Sequence, residues 1–179
     1  IQKFLQRFKA EKKKALEQKL EEKLKAFMHK SDFVHKVIVD IQGNGEDVDI
    51  NLYDSHNKKI DKGNLSMGEK QLFASALLGA LVEETQLEFP VFIDSPMQKL
   101  DPNHSKNILT KFYPTVSKQV VFFPLLMKEL TEEEYSLIKD ITSKTYLIQN
   151  EKDASHFVEV NPYDLFEAYN SANPSVKKN

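Results

Sequence analysis

The first thirty residues contain no Gly or Pro, and apolar side chains fall at Phe4, Phe8, Leu16, Leu20, Leu24 and Phe27, three, four or eight positions apart. That spacing gathers them into one narrow stripe of an α-helix, and the Lys, Glu, Leu, Gln and Ala around it are strong helix formers. A narrow stripe with charged flanks suits one strand of a two-helix coiled coil better than a core helix. Ser31 and Asp32 end this segment, and the period becomes two. Val37, Val39 and Ile41 alternate with Lys36, Ile38 and Asp40; after Gly43-Asn44-Gly45, Val48, Ile50 and Leu52 alternate with Asp49, Asn51 and Tyr53. This is hairpin patterning with its turn chemistry in place. A second turn at Asp54 to Asn57 leads to a short strand near Lys59 and Ile60, so residues 33–61 are expected to form a small antiparallel subsheet.

From about Gly68 to Glu84 the period is helical again, with Leu72, Phe73, Ala76, Leu77, Ala80 and Leu81 on one face. Phe89 to Ile93 is a continuous apolar run closed by Asp94, the pattern of a strand buried on both faces. Asp101 before Pro102 reads as an N-cap and first helical residue of a helix to about Phe112. Gln119 to Phe123 is a further buried strand. Thr131 and Glu134 make a capping box for a helix to about Asp140, and Thr145 to Gln149 is a third strand. Strand, helix, strand, helix, strand predicts a parallel sheet with helical crossovers. The tail from Asn161 is polar and weakly patterned, and no internal repeat is present.

Length and composition narrow the class. With 179 residues, 40% of them apolar, the chain can build one domain with a core plus an appended segment. The lack of cysteine excludes disulfides, a thiolate zinc site and a cysteine nucleophile, and fits a reducing cytoplasm. Five scattered histidines argue against a metal cluster. No apolar run reaches the roughly 20 residues of a membrane span, and no signal-peptide pattern opens the chain. The expectation is a soluble cytoplasmic protein with no membrane partner, and the start at Ile1 reads as a portion of something longer. Residues 1–30 hold ten Lys/Arg against four Glu, whereas the remainder is net acidic. Such asymmetry favours a nucleic-acid-facing segment, with a solvated lysine face over a packing seam as the plainer reading.

The candidate chemistry lies in three short strings: Leu65-Ser-Met-Gly-Glu-Lys-Gln71, Val91-Phe-Ile-Asp94 and Lys99-Leu-Asp101. Ser66 and Glu69 are spaced as a capping box, and Gly68 allows close backbone approach in the first turn. Taken alone this is an ordinary helix start, although the same outward-facing amides and dipole can hold a phosphate. A carboxylate at a strand end, as at Asp94, can hold a water of a hydrated Mg2+ or simply cap the next turn. Asp101 is satisfied as a cap before Pro102. A G-x-x-x-x-G-K-[ST] phosphate loop is absent from the chain.

Together the strings resemble the composite ATP site of ABC-type ATPases, and LSMGEKQ is similar to the signature of the SMC/Rad50 branch. The resemblance implies an α/β fold: the C-terminal half of an ABC ATPase head in the P-loop NTPase superfamily, preceded by a coiled-coil helix. It divides the chain into an arm helix at 1–31 and an ATPase lobe at 32–179. It implies that Ser66 and Gly68, framed by Asn64, Leu65, Met67, Glu69 and Lys70, contact the γ-phosphate of ATP held by an opposing subunit. Asp94 takes the Walker B place beside Mg2+, and Asp101 that of the D-loop. Two departures stand out. Ser95 and Pro96 follow Asp94 where most relatives carry a water-activating glutamate, leaving Ser95 or Gln98 to orient water, and Pro124 stands where many carry a switch histidine. Hydrolysis is therefore expected to be slow.

Those departures, with FPVFIDSPMQKLDPNHSKNIL and FYPTVSKQVVFFP, resemble the C-terminal ATPase lobe of the DndD family of DNA sulfur-modification proteins over roughly residues 60–150. That likeness implies an ATPase supporting DNA phosphorothioation. Its partners would be an N-terminal Walker A lobe of the same protein, a second copy joined through ATP, DNA, and other DNA sulfur-modification proteins. A Rad50- or RecF-like repair or defence ATPase is the alternative on the same fold, and a non-hydrolysing ATP-gated clamp the alternative of a different class.

Overall fold

A computed structural model describes residues 2–28, 34–42, 47–85, 88–95, 97–98 and 100–173. The expected helix stop at Ser31 and Asp32, the turn at residues 43–45 and Pro96 lie outside the described residues. The chain divides into two compact units, one formed by residues 1–93 and 99–121 and the other by residues 94–98 and 122–179.

The first unit opens with α1, Gln2–Phe27. Its stripe is used unevenly: Leu20, Leu24 and Phe27 are buried, whereas Phe4 and Phe8 are 69% and 47% exposed. β1 (Lys36–Gln42), β2 (Asp47–Tyr53) and β3 (Lys59–Ile60) follow as an antiparallel sheet in that order. Val39 faces Ile50 and Val37 faces Leu52, as the alternation requires. Val37, Val39 and Leu52 are buried because period two places them on one face. α2, Met67–Thr85, buries Leu72, Ala76, Gly79 and Ala80. Gly79 is there for closeness: a Cβ would lie 2.7 Å from the Phe112 ring and 3.0 Å from the Lys23 stem.

The helix expected from Pro102 to Phe112 runs further and is not uniform. α3 (Pro102–Asn107) passes into a π-helical turn at Ile108–Phe112 and then α4 (Tyr113–Val116). Pro114 explains the break, because it has no N–H and its ring would strike the carbonyl of Thr110 in a regular helix. Widening to a π turn, in which Tyr113 N donates to Ile108 O, avoids that clash. Thr115 Oγ1 donates to Lys111 O at 2.9 Å. Ile108, Leu109, Phe112 and Tyr113 are thereby buried, and Phe112 meets Phe27 edge-on at 4.9 Å between ring centroids.

β4 (Val91–Asp94) and β5 (Val120–Phe123) are neighbours in one sheet, and the division between the units runs through both. Val91 N donates to Gln119 O in the first unit and Ser95 N to Phe123 O in the second. Both bonds join residues at the same chain separation, so the strands are parallel. β4 is not covered on both faces as expected: Val91 is buried but Phe92 is 65% exposed.

In the second unit the capping box at Thr131 and Glu134 is complete in both directions, and it opens α5, Glu132–Ser136. α5 ends earlier than expected and is followed by a 3-10 turn at Lys139–Ile141. The third strand, β6 (Thr145–Glu151), does not extend the parallel sheet. It pairs antiparallel with β7 (Ala154–Val160), through a turn with Lys152 at φ 40°. α6, Leu165–Ala172, buries Leu165 and Phe166. Its anchor is Tyr135, whose ring meets that of Phe166 at a tilt, 5.7 Å between centroids, and whose hydroxyl donates to Pro162 O at 2.9 Å. Among the described residues, no helix is long and apolar enough to cross a membrane.

Candidate functional site

The signature string forms one turn in the first unit. Asp61 caps a 3-10 turn at Lys62–Asn64, accepting from Gly63 N at 2.8 Å, and Asn64 N donates to Asp61 O at 3.0 Å. Leu65 is buried and pins the chain. Immediately after it Ser66 and Glu69 close the expected capping box: Ser66 N donates to Glu69 Oε2 at 2.8 Å, and Glu69 N donates to Ser66 Oγ at 3.2 Å. Lys70 Nζ reaches back to Gly63 O at 3.2 Å, tying the two turns together.

The result is a self-capped, solvent-facing helix start. Ser66 is exposed and Met67 is 60% exposed. The amides of Met67 and Gly68 lie in the first turn, where a helix supplies no internal acceptor. Ser66 Oγ receives a hydrogen bond from Glu69 N, and its own O–H remains a donor for an outside oxygen. Such a turn can present a hydroxyl, amides and the positive end of a helix dipole to an anion.

Asp101 also belongs to the first unit. One carboxylate oxygen accepts from Asn103 N at 2.9 Å and His104 N at 3.1 Å, capping α3, while the other pairs with His104 Nδ1. Burial raises the Asp101 pKa, but the bonds from His104 and Asn103 outweigh it and hold the carboxyl below its ordinary 3.8. Sequence reasoning did not single out His104. The available signal was its position three residues after a helix-capping aspartate, where side chains meet on the same face.

Asp94, Ser95 and Gln98 are in the second unit. Asp94 ends β4 exposed, and Ser95 Oγ donates toward Asp94 Oδ1 at 3.5 Å. Ser95 has a φ of 48°, the left-handed region that L-residues other than Asn and Asp seldom enter. Gln98 is exposed beside the buried Met97. Among the described residues, no group of three or more His, Cys, Asp or Glu is arranged to hold a metal ion.

No protein-family model matches the chain, and no curated protein does. Solved structures do. A structure from work on ATP-driven dimerization and DNA-stimulated activation of SMC ATPases superposes with a TM-score of 0.61 at 12% identity, over 93% of each chain. The Smc head domain with a coiled coil and joint from Pyrococcus yayanosii gives 0.61 at 13% identity, over 87% of this chain and 29% of that one. An Smc head bound to the C-winged helix domain of ScpA gives 0.60 at 12% identity, over 87% of this chain and 45% of that one. At such identities the likeness is one of fold. The chain is α/β, has the architecture found in SMC head domains with a helix like a coiled-coil strand at its start, and spans less than half of the latter two structures.

Proposed function

We propose that this chain is the C-terminal half of an SMC-like ATPase head, and that its signature turn completes an ATP site carried by another lobe. The exposed, self-capped turn at Ser66–Glu69, set in a fold like that of SMC heads, is the observation that carries this reading. Ser66 donates its hydroxyl, and the Met67 and Gly68 amides point their N–H groups, to the terminal phosphate of the triphosphate. Met67 covers it from the solvent side. Asn64, Leu65, Glu69 and Lys70 hold the turn in place.

Asp94 and the Ser95 hydroxyl are hard oxygen donors, the kind that Mg2+ takes while keeping much of its water. The ion would neutralise phosphate charge. Asp94 orients its water, and Ser95 or Gln98 orients the attacking water without serving as a strong base. Asp101 sets the loop that reaches the facing subunit. The Walker A lobe of the same protein holds the nucleotide in cis to Asp94. The exposure of Phe92, on a strand patterned for burial on both sides, supports a cover supplied by such a lobe.

ATP then joins two copies, and the basic arm and partner proteins couple this closure to DNA. The DndD-like strings make DNA phosphorothioation the process served, with sulfur chemistry performed by other proteins. A second reading, an ATP-gated clamp with little hydrolysis, is favoured by Ser95 in the place of a glutamate.

The test uses the protein with both lobes present. ATP should drive dimerisation in light scattering, and Ser66→Arg, which puts bulk and positive charge in the phosphate pocket, should lower the dimer yield at least tenfold. Unchanged dimerisation would remove the trans role. Mass-spectrometric counting of phosphorothioate dinucleotides in cells carrying Ser66→Arg tests the DNA-modification reading separately: unchanged counts would sink it.

A further inference from the structure

Asp101 does more than cap α3. The cap is complete with one carboxylate oxygen, which accepts from both the Asn103 and His104 amides, while the second oxygen pairs with His104 Nδ1. That second bond is not needed to start the helix. Between side chains 54% and 22% exposed, for Asp101 and His104 in turn, it also adds little to stability. Its consequence is chemical. A carboxylate only accepts, so Nδ1 carries the proton, and Nε2, at the far edge of the ring, is the basic nitrogen. An imidazole oriented through Nδ1 by a fixed aspartate is the arrangement in which histidine takes a proton from a nucleophile.

The proposed reaction calls for such a group. Ser95 is an alcohol and Gln98 an amide, so each can orient the attacking water but neither takes its proton at neutral pH. Pro124, following β5, offers no proton acceptor on its side chain. Asp101 and His104 belong to the first unit together with the Ser66 turn, whereas Asp94, Ser95 and Gln98 belong to the second. The unit that presents the phosphate-facing turn therefore carries the oriented imidazole as well.

We infer that His104 is the general base of the ATPase and acts in trans, its Nε2 taking the proton of the water that attacks the γ-phosphate held by the facing copy. This deepens the reading of the Ser66 turn given above and rests on it. The water oxygen bonds to the γ-phosphorus as the bridging P–O bond breaks, and ADP leaves with that electron pair. The proton passes from Nε2 to solvent. Asp101 is a positioning residue in this step, fixing the tautomer and the direction of the ring.

Mixing impaired variants of the two-lobed protein tests this, because each ATP site of a two-fold dimer draws on both copies. His104→Ala should lower ATP turnover about a hundredfold with ATP-driven dimerisation unchanged, and added imidazole should restore about fivefold. Asp94→Asn disables the site of the copy that carries it. When the two variants are mixed in equal amounts before ATP is added, about half of the dimers pair them, and one site in each such dimer is intact; about a quarter of the parent turnover should return. Ser66→Ala mixed with Asp94→Asn is the reference, since its recovery depends on the trans reading alone. Recovery there but not with His104→Ala overturns the assignment of His104 and leaves the site reading standing, whereas recovery in neither mixture strikes down both. Parent-rate turnover by His104→Ala alone, no response to imidazole, or a parent protein that does not turn ATP over would each also overturn it.

Discussion

The turn that opens α2 and the turn that closes β4 each place a serine at a proposed nucleotide contact, yet they hold it by opposite means. Around Ser66 every local preference agrees: a capping serine, a glutamate three residues on, and a buried leucine before it. Around Ser95 the backbone is left-handed, at a cost of about 1 kcal/mol for an L-residue, and the Ser95 amide is held to Phe123 O at 3.3 Å. A helix start can be structural and functional at once because both uses need outward amides. A strained strand end serves only where its surroundings impose it.

The two glycines of α2 give the largest separation between structure and site. Gly79→Ala should destabilise the fold by about 2 kcal/mol, since the new methyl meets the Phe112 ring in a filled core. Gly68→Ala, in the first turn of the same helix, should leave the melting temperature equal or raise stability by about 0.5 kcal/mol, while weakening ATP-dependent dimerisation of the two-lobed protein about tenfold. Loss of stability at Gly68, or none at Gly79, would break the contrast.

At the other turn, Ser95→Val places a β-branched side chain in the left-handed region and should cost a further 1 kcal/mol or so in denaturant melts, whereas Ser95→Gly should stay within about 0.5 kcal/mol of the parent. Equal effects would mean that the backbone at Ser95 relaxes. The smallest effect concerns Asp101. Its folded-state pKa lies below the ordinary 3.8, so the stability it adds is fully present above that value and is lost as pH falls through the lower, folded-state pKa. Asp101→Asn should flatten that acid limb by slightly lowering stability in the neutral region, and leave the strongly acid end, where the carboxyl is protonated, unchanged.

Much of this arrangement was legible from residues alone where a local signal and a buried face coincide. Ser66 with Glu69, Thr131 with Glu134, and Asp101 before Pro102 each named a helix start that the structure contains. Val37, Val39 and Leu52 named the covered face of the first sheet. The failures have physical causes. β7 is exposed along nearly its whole length, so no hydrophobic period marks it, and the turn before it uses Lys152 where a glycine would have given the signal. α6 is short and held by Tyr135 from a distant part of the chain. The π turn follows from Pro114, whose effect falls on the carbonyl four residues earlier and not on its own position. Of the site, the strings and their caps were readable. The left-handed Ser95 was not, because it depends on where a neighbouring group lies in space, and the Asp101 pairing with His104 was missed although its spacing of three is local.

The most direct measurement is photo-crosslinking from an ATP analogue that carries its reactive group on the γ-phosphate, in a mixed dimer of isotopically light and heavy two-lobed protein. Label in the Leu65–Glu69 turn of the subunit opposite the one gripping the nucleotide is the result expected here. Label confined to the gripping subunit, with that turn clean on its partner, would contradict it.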